Sequence, residues 1–529
     1  MKIFIEAQKY PLSEVTDYLD NRYYDVDNQG NVQIPYVGYF YNAVQQCSVI
    51  LLPKVFVGKE NVLPKDFLFS TSTWLFLAIK QFQSRKAANQ ITEQSQVQEV
   101  ISNLDKNTNS ELEIVLSLLR FHRENQSLFT FIKKINTSQQ HKIDWTKTIT
   151  KKLPFLNKSS QPIYFQTITK SKNINIEEEL ICIFLSILHD FKQKYHFRID
   201  LNPIYNISKG ADFERLKQSG TRRLKAIKSK YFSDKLVKLW HLCYAYFERL
   251  EQVKNGKAMN EILLVRDFNI VFEDMIDALL GDTQLPKSLK EHKDGKRLDH
   301  IYPYKSLIFN DDIYYIGDSK YYKNETEFSQ SSKYKQFTYS KNVIQYNIDL
   351  FNKNELSENL RYRDELTEGY NVTPNFFISA FVGENFDFTK HELKSNGKVT
   401  EQNTHFKNRL FDRDTLHLQA YDINFLYVLH AYIAKNNNQK TQFSEQAKTQ
   451  FRENLRKYLN QNYDFYEVRP NIAIEDFINQ NFRLLNGKMY RPSHFEDKIL
   501  VALLKKSVDN QEIIKILSQT TTQYENTSI

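Results

Sequence analysis

Residues 311–323 read "DDIYYIGDSKYYK". The aromatic and β-branched run Ile313 to Ile316 leads into a charged triplet, Asp318-Ser319-Lys320. Successive side chains of a strand point to opposite faces. Asp318 and Lys320 therefore share one face, and Ser319 points away. A carboxylate and an ammonium held side by side at a strand end suggest a site, and the flanking sequence shows what kind.

Upstream, "LDHIYPYKSLIF" (298–309) is a second strand-like run. Asn310-Asp311-Asp312 between the two has turn chemistry. The segment 299–320 thus reads as a hairpin that carries Asp299 towards Asp318, with Asp311 and Asp312 as turn residues. Earlier still, "AMNEILLVRDFNIVFEDMIDALL" (258–280) reads as an amphipathic helix bearing Glu273. Downstream, a helix beginning near Ser331 carries "KYKQFTYSK" (333–341), with Gln336 and Tyr339 three apart on one side. "NFFISAFVG" (375–383) reads as a further strand and "FLYVLHAYIA" (425–434) as a further helix.

Two carboxylates converging from neighbouring strands suit Mg²⁺ or Mn²⁺, hard cations that take oxygen ligands and keep several waters. The carbonyl of Ser319 is a third oxygen, and Glu273 can reach the same region from its helix. Lys320 can orient a water and neutralise phosphate charge. The candidate catalytic residues are Glu273, Asp299, Asp318, Lys320 and Gln336, with Asp299, Asp318 and Glu273 as metal ligands. Lys333, Lys335, Tyr339 and Lys341 are the candidate contacts to a phosphodiester backbone, with Tyr321 and Tyr322 nearby; lysines on such a helix position phosphates and do not read bases. A lone D-x-K is commonly a solvated strand edge. The ordered series, helix Glu, strand Asp, D-x-K, then a basic aromatic helix, is what singles out this one. His300 points to the opposite strand face from Asp299 and reads as structural.

The rest of the chain narrows the class. Lysine and arginine number 72 against 63 acids, a surplus of nine over 529 residues, which hints only weakly at a polyanionic partner. Three cysteines, Cys47, Cys182 and Cys243, make no CxxC spacing and fit a reducing cytoplasm. The twelve histidines form no H-x-x-H pair, and no GxxxxGK[ST] is present. The chain is thus not itself a P-loop nucleotidase. The apolar run after Lys2 is too short for a signal peptide, and "LICIFLSIL" (180–188) is too short to span a membrane. A cytoplasmic protein without a membrane is expected.

The series of motifs resembles the PD-(D/E)xK nuclease superfamily, through Glu273, Asp299, Asp318 and Lys320, with Gln336 and Tyr339 matching a helix motif of its RecB-like members. It is more closely similar to McrC, the nuclease subunit of McrBC-type restriction systems, and to LlaJI-type relatives. "VFEDMIDALL", "IYYIGDSKYYK" and "SKYKQFTYSKNV" are similar to the McrC nuclease core. "YVGYF" and "VILLPKVFVGK" are similar to its N-terminal glycine and "PK" strands. Leu298 stands where the family motif has proline, and the hairpin is longer than the compact family form. The resemblance implies an Mg²⁺-dependent endonuclease acting on double-stranded DNA in an antiviral restriction complex. It also implies a hexameric McrB-like AAA+ GTPase as partner, docked through the N-terminal part. Two other readings stay open: a stand-alone nuclease for RNA or single strands, and a non-catalytic activator of an AAA+ partner.

The expected fold class is α+β. Residues 1–135 form a β-rich then helical docking domain, and 136–255 a helical connecting region. Residues 256–438 form the α/β nuclease core, and 439–529 a helical C-terminal region. Within these, 89–100 reads as an exposed polar helix and 222–254 as one long helix.

Overall fold

The computed structural model describes residues 2–45, 47–59, 65–88, 100–102, 111–129, 132–137, 142–174, 178–195, 199–255, 260–282, 285–290, 298–321, 329–353, 355, 360–389, 393–402, 408–434 and 437–529. The chain is mixed α+β with several small sheets.

One five-stranded sheet holds the quoted stretch. Its order is His300–Lys305, Asp312–Lys320, Pro374–Phe381, Leu416–Asn424, Leu393–Gln402. The first two strands are an antiparallel hairpin, with His300 opposite Gly317. The strand Asp312–Lys320 then runs parallel to Pro374–Phe381, which runs parallel to Leu416–Asn424. Parallel neighbours need a long crossover, and here the helix Gln330–Asn352 lies in the connection. Ser329 caps that helix, its hydroxyl accepting from the Ser332 N–H at 3.2 Å.

The two faces of this sheet are built differently. One buries Tyr302, Tyr315, Phe376 and Tyr421. Phe451 of the helix Asn437–Asn462 stacks on Phe376 at 4.7 Å and meets Tyr421 edge-on at 4.4 Å. The other face buries Phe377, Leu418 and Ala420 under Phe337 of the crossover helix. Asp318 and Lys320 belong to this second face, with the Lys320 ammonium 5.2 Å from the Phe377 ring centre.

A second five-stranded sheet, in the order Lys2–Ile5, Cys47–Leu52, Tyr36–Asn42, Glu261–Arg266, Val100–Ser102, organises the N-terminal part. Its fourth strand corrects the expected helix over 258–280. Residues Glu261–Arg266 pair antiparallel with Tyr36–Tyr41, and only Asn269–Leu280 is helical. Asp267, with φ of 53°, turns the chain between them. The run Ile262–Val265 is apolar on both faces, a pattern that periodicity cannot assign, and pairing with Tyr36–Asn42 makes it a strand.

Three further expectations change. The segment 222–254 is two helices, Ala211–Ile227 and Asp234–Lys254, separated by the 3₁₀ turn Lys228–Lys230 and the extended Tyr231. The Trp240 indole N–H donates to the Leu224 carbonyl at 2.7 Å and folds one helix back on the other. The connecting region also holds β-structure: Ile132–Thr137, Thr169–Ile174 and Lys142–Ile143 form a small sheet ahead of the helix Glu179–Tyr195. The C-terminal region is not wholly helical: Met489–Tyr490, Ile499–Leu504, Tyr463–Pro470 and Thr521–Thr527 form a four-stranded sheet with the helices Ile474–Leu485 and Asn510–Thr520. Its strands "YDFYEVRP" and "ILVALL" are short runs whose partners lie far along the chain. Of the stretch 89–100 expected as a polar helix, residues 89–99 lie outside the described residues, and Val100 opens the strand Val100–Ser102. No described helix is long and apolar enough to cross a membrane.

Asp311 is also more than a turn residue. It is buried, accepts from Tyr490 Oη at 3.3 Å and the Ser493 N–H at 3.3 Å, and bonds the Ser493 hydroxyl. It fastens the hairpin to the C-terminal part. Asp312, next to it, makes a surface ion pair with Lys305 at 2.8 Å.

Two substitutions test this framework. Asp311→Ala strands the hydroxyls of Tyr490 and Ser493 and is expected to cost about 1–3 kcal/mol in urea unfolding, with Asp312→Ala close to neutral. Gly38 sits at φ of 143°, where a Cβ would come within 2.1 Å of the Leu263 carbonyl. Gly38→Ala is therefore expected to lower stability by about 1–3 kcal/mol by forcing apart Tyr36–Asn42 and Glu261–Arg266.

Candidate active site

The hairpin register carries the site. With His300 opposite Gly317, one further step puts Asp299 opposite Asp318. The Ser319 N–H donates to Asp299 Oδ2 at 3.1 Å and holds that carboxylate in place. Asp318 is buried, and Lys320 forms an ion pair with it on the same strand face.

The electrostatics follow from the crowding. The Asp299 carboxyl is held well above the usual carboxylate range, first by burial and then by the charges of Asp318 and Glu273. Glu273 is raised as well: burial drives it up, while His300 and a 3.5 Å hydrogen bond from Asn269 partly offset this and Asp318 adds to it. Three acids thus feel one another, and Asp299 and Asp318 are the pair in register. Among the described residues no group of three or more His, Cys, Asp and Glu is assembled as a metal cage. What is present is the carboxylate pair Asp299 and Asp318, with the Ser319 N–H on Asp299. That oxygen set fits a hard divalent cation that keeps its own waters, and such a cation would relieve the repulsion that burdens Asp299.

The crossover helix brings some of its predicted residues to this place and not others. Burial alone would lower the Lys335 pKa, but the Tyr339 hydroxyl and the charges of Asp318 and Asp299 outweigh it, and the ammonium is held above its usual value. Its Nζ lies 5.3 Å from the Tyr339 ring centre, and Tyr339 is fully buried. Lys333 is half-buried on the first turn of the helix. Lys341 instead pairs with Asp414 at 2.9 Å. Gln336 is buried and works as a fastener: its Nε2 donates to the Ile316 carbonyl and to Asn375 Oδ1, both at 3.0 Å. Ser340 donates to the same Asn375 oxygen at 2.7 Å. The helix is thereby fixed to the strand two residues ahead of Asp318.

Two supports escaped sequence reasoning. Behind the site strand, His300 Nε2 and Ser319 Oγ lie 2.6 Å apart, and Asp277 of the helix Asn269–Leu280 lies 3.8 Å from His300 Nδ1. The odd spacing of His300 from Asp299 gave its face but not its partners. Beyond the strand, Tyr321 is buried and donates to Glu6 Oε2 at 2.6 Å, while the Lys54 N–H donates to Tyr321 Oη at 3.0 Å and Glu6 Oε2 at 3.1 Å. The residue after Lys320 is therefore locked to the N-terminal sheet at the "PK" turn. No local pattern announces that contact. Tyr322 lies outside the described residues.

No protein-family model, curated protein or solved structure matches the chain.

The crowding predicts a stability signature. A carboxyl with a raised native pKa contributes stability at low pH that is lost as pH rises through that pKa. Asp299→Asn removes the offending charge. It is expected to raise the melting temperature of the metal-free chain, and to raise it more at pH 8 than at pH 5. Differential scanning fluorimetry at the two pH values checks this; an equal or opposite effect would show that Asp299 is not repelled.

Proposed function

We propose that the chain is a Mg²⁺-dependent DNA endonuclease subunit, acting with a nucleotide-driven motor of the McrB type in a restriction complex. The observation that carries this reading is the in-register pair Asp299 and Asp318 with Lys320 on the same strand face. The motor rests on the sequence resemblance and on the want of a P-loop motif in this chain. Asp299 and Asp318, with the Ser319 carbonyl, would hold the cation. When bound, it would supply charge stabilisation at the phosphate and a more acidic water.

The chain's own groups divide the remaining work. Lys320 is a compact positive charge beside the carboxylates, where it neutralises a phosphate oxygen and orients the attacking water. Lys335, drawn towards Asp318 and Asp299 from the helix, adds a second positive charge on the incoming backbone. Gln336 and Tyr339 act indirectly: Gln336 fixes the helix to the site strand, and Tyr339 holds Lys335. Glu273 adds negative charge from the helix ahead of the hairpin and strengthens the field that attracts a cation.

The test separates metal binding from chemistry. Asp318→Ala is expected to abolish Mn²⁺ binding by calorimetry and Mg²⁺-dependent plasmid cleavage together. Lys320→Ala should keep the metal and lose about 10²–10³ in rate, and Lys320→Arg should not restore it, because a planar fork does not replace a compact ammonium. Asp312→Ala serves as the surface control. Undiminished Mn²⁺ binding by Asp318→Ala would remove the site from this position.

A further inference from the structure

The segment between the N-terminal sheet and the long helices concentrates the chain's charge. Residues 125–176 contain nine lysines, no arginine and one acid, Asp144. That is a surplus of eight, against nine for all 529 residues. Asp144 does not offset the surplus at the surface: it is buried and caps the helix Trp145–Lys151, accepting from the Lys147 N–H at 3.2 Å. Lys142, Lys147, Lys151 and Lys158 are exposed.

The same segment exposes large apolar side chains. Leu153 is 96% exposed, Phe165 78% and Phe155 69%, with Trp145, Ile149 and Leu156 also out in solvent. They stand on a hydrogen-bonded frame. Asp144 N–H donates to the Ile168 carbonyl at 2.7 Å, and Ile168 N–H to Thr148 Oγ1 at 2.9 Å. The hairpin Phe155–Leu156 with Pro162–Ile163 is closed by Asn157, whose Oδ1 accepts from the N–H groups of Ser159 and Gln161, both at 2.9 Å. Phe155 meets Phe165 edge-on at 5.7 Å, and Trp145 meets Tyr164 at 6.4 Å. An apolar surface of this kind marks a binding site.

We propose that the surface of residues 142–168 binds single-stranded DNA, its lysines on the phosphates and its exposed rings on the bases. Naming DNA as the polymer rests on the nuclease reading above. The charge selects a polyanion, and the rings select one whose base faces are free, which a duplex hides in its own stack. Ser159, Gln161 and Gln166, all exposed, lie among the rings in sequence and suit base edges better than a hydrocarbon layer. None of these residues belongs to the carboxylate pair or to the helix Gln330–Asn352, so the surface would be a second DNA contact of this chain.

The experiment uses the full chain and fluorescence anisotropy with labelled oligothymidine. Phe155→Ala combined with Phe165→Ala is expected to weaken binding about tenfold or more, with melting temperature unchanged because both rings are exposed. Lys147→Glu, Lys151→Glu and Lys158→Glu together should weaken it further and flatten the log–log salt slope by about 0.7 per lost contact. Asp318→Ala should bind like the parent while losing cleavage. A chain that fails to cleave but binds oligothymidine through these residues leaves the surface standing and sinks only the nuclease reading. Unchanged oligothymidine affinity in both surface variants would overturn the proposal. So would loss of binding to phosphatidylglycerol vesicles with oligonucleotide binding intact.

Discussion

The register of one antiparallel hairpin governs the candidate site. His300 opposite Gly317 sets Asp299 opposite Asp318 and places Lys320 on their side. A slip of one residue would turn Asp318 and Lys320 to the far face, among Tyr315 and Phe376, and bring Ser319 forward. Several contacts oppose that slip. The Ser319 N–H holds Asp299, His300 holds Ser319 from behind, and Gln336 holds the Ile316 carbonyl. Gly317 adds a steric lock, since a Cβ there would come within 2.1 Å of the Phe376 ring. The strand is held from both faces and both edges.

Such rigidity has a physical purpose at a site of like charges. Asp299 and Asp318 repel, and burial removes the water that would screen them. The framework that opposes this is mostly neutral: backbone hydrogen bonds, the Gln336–Asn375–Ser340 network and stacked aromatic rings on the reverse face. The Tyr321–Glu6–Lys54 contact extends the framework to the N-terminal sheet, where burial raises the Glu6 pKa and the hydrogen bond from Tyr321 works against that rise. The site strand is thus supported by two sheets, although only one contains it.

Much of the site strand was legible because its information is local. Alternation alone put Asp318 and Lys320 together and Ser319 with His300 on the reverse face, and turn residues between two aromatic runs gave the hairpin. The elements misread are those whose identity depends on distant partners. Glu261–Arg266 is apolar on both faces and becomes a strand only because Tyr36–Asn42 is there to pair with it. The C-terminal strands "YDFYEVRP" and "ILVALL" are settled by each other. Asp311 looks like an ordinary turn acid until Tyr490 and Ser493 close over it. Gln336 was visible as a motif residue, but its hydrogen bonds to Ile316 and Asn375 were not.

The strand Glu261–Arg266 also sets an order of events during synthesis. Val37 lies opposite Val265, and the helix bearing Glu273 begins at Asn269, just past the strand. Domains emerging from the ribosome generally fold as units, the N-terminal one first. Here the first sheet must wait, with the exposed edge of Tyr36–Asn42 unpaired, until the chain has grown past Arg266. Closing it delivers Asn269–Leu280 to the place where the hairpin will pack. The N-terminal sheet and the sheet that carries the candidate site are therefore successive steps of one assembly, and a nascent chain stalled before Arg266 would present an open, aggregation-prone strand edge.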